Sequence, residues 1–376
     1  MIAQEDGMSR EREDVAKDII ERVRIPLETE AWRMVREGIV EPNVLDYLSV
    51  LHLGLDRGVL SRILDDGIEE RAKACVDTWE ESFGDNRFRP VPDLFSPDFK
   101  PIWDSLDDEV QPLSDSSDLP IPGKVLITGT PHLVSAWRER LYEASEGKVA
   151  ADTWPLWDLT SIREEDLKKL LKNGPWDLLI EVLVGPVDDR RQLIEVLAGS
   201  INKGGQVWVH TLNLPATVAV QVVPEELVAV GFGGLPNRYG EPVIEFSLPR
   251  NSDASDLGRA AEIAVSFGLS PFEVADEPGG VGARLLATLI NSASYLIREG
   301  FVESEGAADR EVKRGLSLEE SPFELADEIN LDTVEGVILG LRAHLGEDRY
   351  RLSPLLTMRI ESGALGRATD AGFYVA

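Results

Sequence analysis

The sequence predicts a doubly wound α/β domain with an all-α domain on either side, an α/β plus all-α fold class. Three observations support this prediction. Short apolar runs alternate with helical stretches, helical periodicity dominates both flanks, and one flank repeats the other. We therefore expect a helical domain at 1–100, a linker at 101–122, the α/β domain at 123–275 and a second helical domain at 276–376.

The first hundred residues carry the apolar spacing of amphipathic helices. Apolar side chains recur at helical spacing over 19–35 and again over 44–51, and a third helix is expected over 72–83. The segment 101–122 is rich in Pro, Ser and Asp, which interrupt periodic structure. We therefore expect it to be a linker.

The middle of the chain is predicted to form a mostly parallel sheet. Five short apolar runs are typical of buried strands, at 124–128, 177–184, 206–210, 227–231 and 243–247. Helical stretches separate several of them, at 163–173, 188–200 and 254–267. Strands that alternate with helices favour a doubly wound sheet, whose binding edge lies at the carboxyl ends of its strands.

The third block is helical again and repeats the first at a constant offset of 262 residues. The segment 83–89 falls on 345–351, and Arg36-Glu-Gly38 falls on Arg298-Glu-Gly300. A constant offset indicates duplication of one helical module. Two such modules could pair within one chain, which predicts a monomer, or between chains, which predicts a small homo-oligomer.

Composition limits the classes of partner. The net charge of −30 argues against nucleic-acid binding, and no apolar run reaches the ~18 residues that a membrane span needs. The acidic amino terminus does not resemble a signal peptide, so we expect a cytoplasmic protein. The single cysteine, Cys75, allows neither an internal disulfide nor a multi-cysteine metal site, and we expect no metal. Only ten of the 38 basic residues are Lys, which suits a salt-adapted cytosol or an acidic mesophilic protein.

Three segments of the last block resemble the 3-hydroxyacyl-CoA dehydrogenase family. The ending Gly363-Ala-Leu-Gly-Arg-Ala-Thr-Asp-Ala-Gly-Phe-Tyr374 is similar to its closing G-x-x-G-R-K-x-G-x-G-F-Y signature. Ser321-Pro-Phe-Glu-Leu-Ala-Asp327 resembles G-P-F-E-L-x-D, and Pro278–Leu286 resembles P-G-F-I-V-N-R-L-L. The resemblance implies a degenerate Rossmann-like domain and two copies of the family's helical carboxy-terminal domain. A copy in front of the nucleotide domain departs from the usual family order.

The resemblance also identifies where the family's catalytic residues should stand. The family uses a histidine as general base, a glutamate that orients it, and a serine and an asparagine that hold substrate and histidine. The corresponding positions here are Phe232, Glu245, Leu212 and Ala283, so the resemblance retains only the glutamate. A phenyl ring cannot transfer a proton, and loss of a general base costs about 10²–10⁴ in rate.

Glu245, His210 and Asn213 are therefore the remaining candidates for catalytic residues. His210 lies at the end of a predicted parallel strand, where α/β active sites gather, and Asn213 adjoins the lost serine position.

The cofactor motif is equally incomplete. The dinucleotide fingerprint needs three glycines, but Thr128-Gly-Thr-Pro-His-Leu-Val134 keeps only Gly129. Pro131 also has no backbone N–H that could donate a hydrogen bond to a phosphate. The candidates for cofactor contacts are Gly129, Thr130, Asp152 as the ribose acid, and Arg190 where the family has a lysine. We expect no cofactor, or NAD if the chain is an active dehydrogenase.

Three functions remain open on the sequence. The chain could be a catalytically degenerate homologue that acts as a structural or regulatory partner of acyl-CoA enzymes, such as a hydratase, a thiolase or an active dehydrogenase. It could instead bind an acyl-CoA and carry out altered chemistry with Glu245 and His210 or Asn213. The third possibility is a conventional NAD-dependent 3-hydroxyacyl-CoA dehydrogenase of fatty acid β-oxidation.

Overall fold

The computed structural model describes residues 2–66, 87, 96–116, 121–233 and 235–374. The chain forms two compact units. The helical unit comprises Met1–Glu37, Leu45–Asp108 and Leu285–Ala376, and the sheet unit comprises Gly38–Val44 and Glu109–Arg284. Our predictions for 72–83, for Cys75 and for most of 83–94 fall outside the described residues.

Helices among the described residues fall mostly where the apolar spacing predicts them. Their bounds are α1 Ile2–Arg36, α2 Pro42–Leu53, α3 Val59–Asp66, α4 Lys100–Asp104, α5 Pro131–Ala144, α6 Glu164–Leu171, α7 Val187–Ala198, α8 Ala216–Ala219, α9 Ala254–Ser266, α10 Gly282–Arg298, α11 Glu305–Leu316, α12 Pro322–Ile329, α13 Leu331–Leu345 and α14 Pro354–Glu361. The short α4 begins at Lys100 and extends into the segment that we expected to be a linker.

The sheet unit is built on one sheet of seven strands. The strands are β1 Val125–Gly129, β2 Asp152–Pro155, β3 Trp176–Val182, β4 Ile201–His210, β5 Val228–Phe232, β6 Val243–Ser247 and β7 Ser270–Glu273, in the spatial order β2-β1-β3-β4-β5-β6-β7. Neighbouring strands are parallel except for the antiparallel pair β5 and β6. This mostly parallel sheet with its helices confirms the predicted fold class.

All five predicted strands are present, and the structure adds β2 and β7. Both additional strands have four residues, contain a proline and lie at the two edges of the sheet. Edge strands tolerate proline, because one side of the strand has no hydrogen-bond partner to lose. Their short, polar sequences gave no apolar run to detect.

The sheet is covered by apolar side chains on both faces, as a parallel sheet requires. Leu179, Val207 and Val209 belong to a buried cluster that includes Leu193 and Ile194 of α7. Trp208 alternates with these residues along β4 and points to the opposite face. There its ring packs edge-on against Phe246 and Phe267.

The helical unit has two long buried helices, α1 and α10. In α1 almost every side chain from Glu21 to Val35 is buried, and α10 is buried almost continuously up to Leu296. Ser321 and Glu324 form a capping box at the start of α12, with Pro322 in its first turn. This box gives the Ser-Pro-Phe-Glu segment a local structural role. No helix among the described residues is long and apolar enough to cross a membrane.

Candidate active site

Three of the predicted site residues meet a fourth residue at the carboxyl edge of the sheet. The guanidinium of Arg190 donates from Nη2 to Oε2 of Glu181 at 2.6 Å and from Nε to both carboxylate oxygens. Nη2 also donates to the backbone oxygen of His210 at 2.5 Å, and Nη1 donates to Oδ1 of Asn213 at 3.2 Å. Arg190 thereby joins the ends of β3 and β4.

Glu181 is the residue of this cluster that we did not select from the sequence. Its side chain and that of Arg190 are both 0% exposed. A buried ionised group is rare unless it is paired, so an acid inside the apolar run of β3 predicts a basic partner nearby. Arg190 lies nine positions further along the chain, on α7, and is the basic residue that this reasoning could have identified as the partner of Glu181. Arg190, which the sequence offers as a cofactor contact, is fully buried and paired with Glu181.

Burial shifts the protonation of two groups in the cluster. It raises the pKa of Glu181, and the charge of Arg190 opposes that rise. Burial also lowers the pKa of His210 well below 6.5, assisted by the positive charges of Arg190 and His132. Both ring nitrogens of His210 lack a hydrogen-bond partner among the described residues. His210 is therefore a neutral imidazole inside the protein.

The positions that match the family's other catalytic residues are all apolar and buried. Phe232 ends β5, and its ring lies 5.2 Å from Trp137 and 6.1 Å from His210, measured between ring centroids. Leu212 and Ala283 are also buried. These three side chains belong to the core of the sheet unit and present no group that could transfer a proton.

Glu245, the retained carboxylate, contacts the start of a helix. The backbone N–H groups of Val281 and Gly282 donate to it at 2.5 and 2.9 Å, where α10 begins. A carboxylate at a helix amino terminus satisfies free N–H groups and matches the helix dipole. Gly280 has φ +53°, and a Cβ there would lie 2.3 Å from Oε2 of Glu245, so only glycine fits.

The segments that follow β1 and β3 bond to each other at the point where the strand order reverses. The N–H of Thr130 donates to the oxygen of Val182 at 3.2 Å, and the N–H of Val184 donates to Oγ1 of Thr130 at 2.9 Å. A Cβ on Gly129 would lie 2.4 Å from the nitrogen of Leu183. In open α/β sheets ligands bind at this switch point, and here two loops bond to each other across it.

Asp152, the candidate for the ribose acid, lies at the amino end of a strand. It begins β2, and its Oδ2 accepts a hydrogen bond from the indole of Trp176 at 2.8 Å. The carboxyl end of β2 is Pro155. Between Pro155 and Trp176 the described backbone contains helices and no strand. The order 2-1-3-4-5 of the first five strands therefore lacks one strand of the dinucleotide-binding order 3-2-1-4-5-6.

Two of the family-like segments at the end of the chain bind each other. The N–H groups of Phe373 and Tyr374 donate to the two carboxylate oxygens of Asp327 at 2.7 and 2.8 Å. A Cβ on Gly372 would lie 2.1 Å from Oδ1 of Asp327. The hydroxyl of Tyr374 donates to Asp309. The Gly-Phe-Tyr ending and the Pro-Phe-Glu-Leu-Ala-Asp segment are thus joined by hydrogen bonds to Asp327, which gives both segments a structural role.

Metal chemistry has no candidate ligand set in the described part of the chain, where no cluster of three or more His, Cys, Asp or Glu residues could hold an ion. The candidate site consists of the buried pair of Glu181 and Arg190, together with His210 and Asn213, which Arg190 contacts.

Comparison with known proteins identifies the family. The family model of the 3-hydroxyacyl-CoA dehydrogenase carboxy-terminal domain matches residues 279–376. A relative from Bacillus subtilis, named "Probable 3-hydroxybutyryl-CoA dehydrogenase", is 30% identical over 201 residues, which are 53% of this chain and 69% of the relative. The 3-hydroxybutyryl-CoA dehydrogenase of Bradyrhizobium diazoefficiens is 30% identical over 200 residues, 53% of this chain and 67% of that protein. This chain belongs to the 3-hydroxyacyl-CoA dehydrogenase family.

Solved structures share the fold at low sequence identity. The 3-hydroxybutyryl-CoA dehydrogenase of Escherichia coli has a TM-score of 0.59 at 19% identity, over 92% of this chain and 60% of that one. The (S)-3-hydroxybutyryl-CoA dehydrogenase of Ralstonia eutropha has a TM-score of 0.51 at 20% identity, over 67% of this chain and 98% of that one. Almost the whole Ralstonia chain thus corresponds to two thirds of this one.

Proposed function

We propose that this member of the family does not carry out NAD-dependent oxidation of a 3-hydroxyacyl-CoA and acts in acyl-CoA metabolism as a structural or regulatory partner. One observation carries the proposal. Phe232 stands where the family's general base is expected, fully buried and packed against Trp137 and His210. The phenyl ring of Phe232 cannot accept the proton of a 3-hydroxyl group.

The residues around the switch point do not fit NAD. Thr130 bonds to the end of β3 where a pyrophosphate would approach, and Pro131 offers no N–H. Arg190 is neutralised by Glu181, and Asp152 bonds to Trp176 at the opposite end of β2 from a ribose site. These contacts support a chain without a nicotinamide cofactor.

The same contacts argue against altered chemistry at the remaining polar residues. Glu245 accepts two backbone N–H groups at the start of α10. Asn213 accepts from Arg190 and donates to the oxygen of Gly185 at 3.1 Å. His210 is buried and neutral beside them. Glu245 and His210 are buried, and Asn213 is half-buried with both ends of its amide bonded to protein, which supports a structural role over catalysis.

The partner is proposed from the class of the family. An acyl-CoA ligand, or an enzyme that handles acyl-CoA, such as a hydratase, a thiolase or an active dehydrogenase, would be the natural counterpart. We also propose the domain organisation stated above, with helical modules at 1–100 and 276–376, a linker at 101–122 and the degenerate Rossmann-like domain at 123–275, and a cytoplasmic location.

A second candidate function is an NAD-dependent 3-hydroxyacyl-CoA dehydrogenase. The names of the relatives from Bacillus subtilis and Bradyrhizobium diazoefficiens favour it, since both are named as 3-hydroxybutyryl-CoA dehydrogenases. Under this candidate NAD would be the cofactor, and another residue would have to replace the missing general base.

Titration of the purified protein separates the two candidates. The fluorescence of its eight tryptophans is followed while NADH or acetoacetyl-CoA is added separately. We expect no saturable response to NADH in the micromolar range. Micromolar NADH binding would contradict the proposal, and saturable binding of acetoacetyl-CoA alone would identify the chain as a CoA-ester-binding partner.

A further inference from the structure

One asparagine of the sheet unit is followed by a glycine, in the turn between α6 and β3. Asn173-Gly174 is the only Asn-Gly pair in the sequence. Asn173 is exposed, and its backbone N–H donates to the oxygen of Leu170 at 2.8 Å, close to the end of α6. The side-chain amide of Asn173 and the backbone nitrogen of Gly174 are therefore neighbours at the surface of the protein.

The protein holds neither of these two groups in place. The side-chain amide of Asn173 has no hydrogen-bond partner among the described residues, and neither does the backbone N–H of Gly174. Several other asparagines are bonded through their side chains, namely Asn43, Asn202, Asn213, Asn237, Asn291 and Asn330. A bonded amide must give up its hydrogen bond before it can turn towards its own backbone. Asn173 does not have this cost.

The ring of Trp176 packs against the glycine of this pair. A Cβ at position 174 would lie 3.0 Å from Cζ3 of Trp176, which is fully buried. The indole nitrogen of Trp176 also donates to Asp152, which fixes the position of the ring. Glycine has no Cβ that could hinder the approach of its nitrogen to the preceding side chain. The packing of β3 thus favours, next to Asn173, the residue that protects it least.

We propose that Asn173 is a site of spontaneous deamidation in the folded protein. The backbone nitrogen of Gly174 attacks the side-chain carbonyl carbon of Asn173, and a new C–N bond forms. The side-chain nitrogen leaves as ammonia, which takes up the proton of the Gly174 amide, and the product is a cyclic succinimide. One water molecule then opens the ring. This reaction needs no cofactor, and it does not depend on whether the chain transfers hydride.

The two carbonyl groups of the succinimide lead to two products. Attack of water at the side-chain carbonyl gives aspartate. Attack at the backbone carbonyl gives isoaspartate, in which the chain continues through the side-chain carbon and the former backbone carbonyl becomes a carboxylate. Nζ of Lys124 donates to the backbone oxygen of Asn173 at 2.6 Å. Isoaspartate therefore places a negative charge on the group that Lys124 contacts.

Peptide mapping of the full chain tests the proposal. The purified protein is incubated at mildly alkaline pH, well below its melting temperature, and is then digested and analysed by mass spectrometry. Asn173 is expected to lose its amide at least about tenfold faster than Asn251, an exposed asparagine followed by serine, which corresponds to about 1.4 kcal/mol in the activation free energy. Both aspartate and isoaspartate are expected at position 173. Equal rates at the two asparagines, or aspartate without isoaspartate, would overturn the proposal.

The same incubation in urea tests whether the fold protects this site. The rates at Asn173 in the folded and the unfolded chain are expected to agree within about tenfold, because the described structure holds neither reacting group. A stronger protection in the folded protein would overturn the proposal, because deamidation would then require unfolding of the turn.

Two variants serve as matched controls. Asn173→Gln keeps a neutral amide but has to close a larger ring, and it is expected to abolish the modification at this position. Gly174→Ala adds a methyl group to the residue that supplies the attacking nitrogen, and it is expected to slow the loss of the Asn173 amide at least about tenfold. Circular dichroism shows whether each variant is folded. An unchanged rate in a folded Gly174→Ala protein would contradict the attack by Gly174.

Discussion

Phe232 is the residue on which the functional proposal depends. Its ring fills a site between Trp137 and His210 in the core of the sheet unit. Restoring the family's residue with Phe232→His is expected to destabilise the fold by about 2–4 kcal/mol, because a polar ring replaces a packed apolar one. We expect no dehydrogenase activity from this variant. Urea unfolding gives the loss, with Phe232→Leu as the apolar control, and turnover of acetoacetyl-CoA by Phe232→His would contradict the prediction.

His210 should make stability depend on pH in a defined direction. Burial and the charge of Arg190 hold its pKa well below 6.5, so the unfolded chain binds a proton that the folded protein does not. Stability should therefore fall as the pH drops below about 6.5, by up to about 1.4 kcal/mol per pH unit for this group. Burial raises the pKa of Glu181, so the contribution of this group to stability falls as the pH rises, opposite to that of His210. A substitution at His210 leaves Glu181 in place, so this contribution is expected in the wild type and in a His210 variant alike.

The test of this pH dependence is the variant His210→Gln. Urea unfolding of wild type and variant between about pH 5 and about pH 8 should give a flatter profile for the variant below about pH 6.5 and parallel profiles above about pH 7. His344→Gln, at an exposed histidine, serves as the control. Equal slopes for wild type and His210→Gln would show that His210 is accessible to protons in the folded protein.

At the scale of elements, Glu245 joins β6 to the start of α10. Glu245→Ala removes the acceptor for the N–H groups of Val281 and Gly282 and is expected to cost about 1–2 kcal/mol. Glu245→Gln keeps an acceptor and should cost less. Amide hydrogen exchange in the first turn of α10 should increase in the alanine variant. If both variants leave that exchange unchanged, Glu245 does not anchor the helix.

Elements with strong local signals were predicted well, and contacts between elements were not. The five apolar runs and their helices follow from periodicity, which depends only on neighbouring residues. The sequence offers Gly129 and Thr130 as cofactor contacts, but nothing local reveals that Thr130 bonds to the end of β3. The contact of Arg190 with the backbone oxygen of His210 likewise depends on the parallel order of β3 and β4. The position of Asp152 at the start of β2 could not be predicted, because β2 has only four residues and no apolar run.

At the scale of the whole molecule, the net charge of −30 should make stability depend on salt. Like charges repel in the compact state, and salt shortens the range of that repulsion. Raising NaCl from about 0.05 M to about 1 M should increase the melting temperature by several degrees. An equal osmolarity of sucrose controls for osmotic effects. Unfolding at the lower salt concentration would favour a salt-adapted protein, and a melting temperature that falls with salt would contradict the prediction.

The chain has the family fold, and we propose that it does not transfer hydride. The most direct measurement is the initial rate of NADH oxidation with acetoacetyl-CoA, followed at the nicotinamide absorbance band, with an active 3-hydroxybutyryl-CoA dehydrogenase as the positive control. We predict a rate indistinguishable from the sample without protein, because the phenyl ring of Phe232 cannot accept or donate a proton where the family's general base is expected. A rate that scales with protein concentration and disappears on heat denaturation would contradict the account.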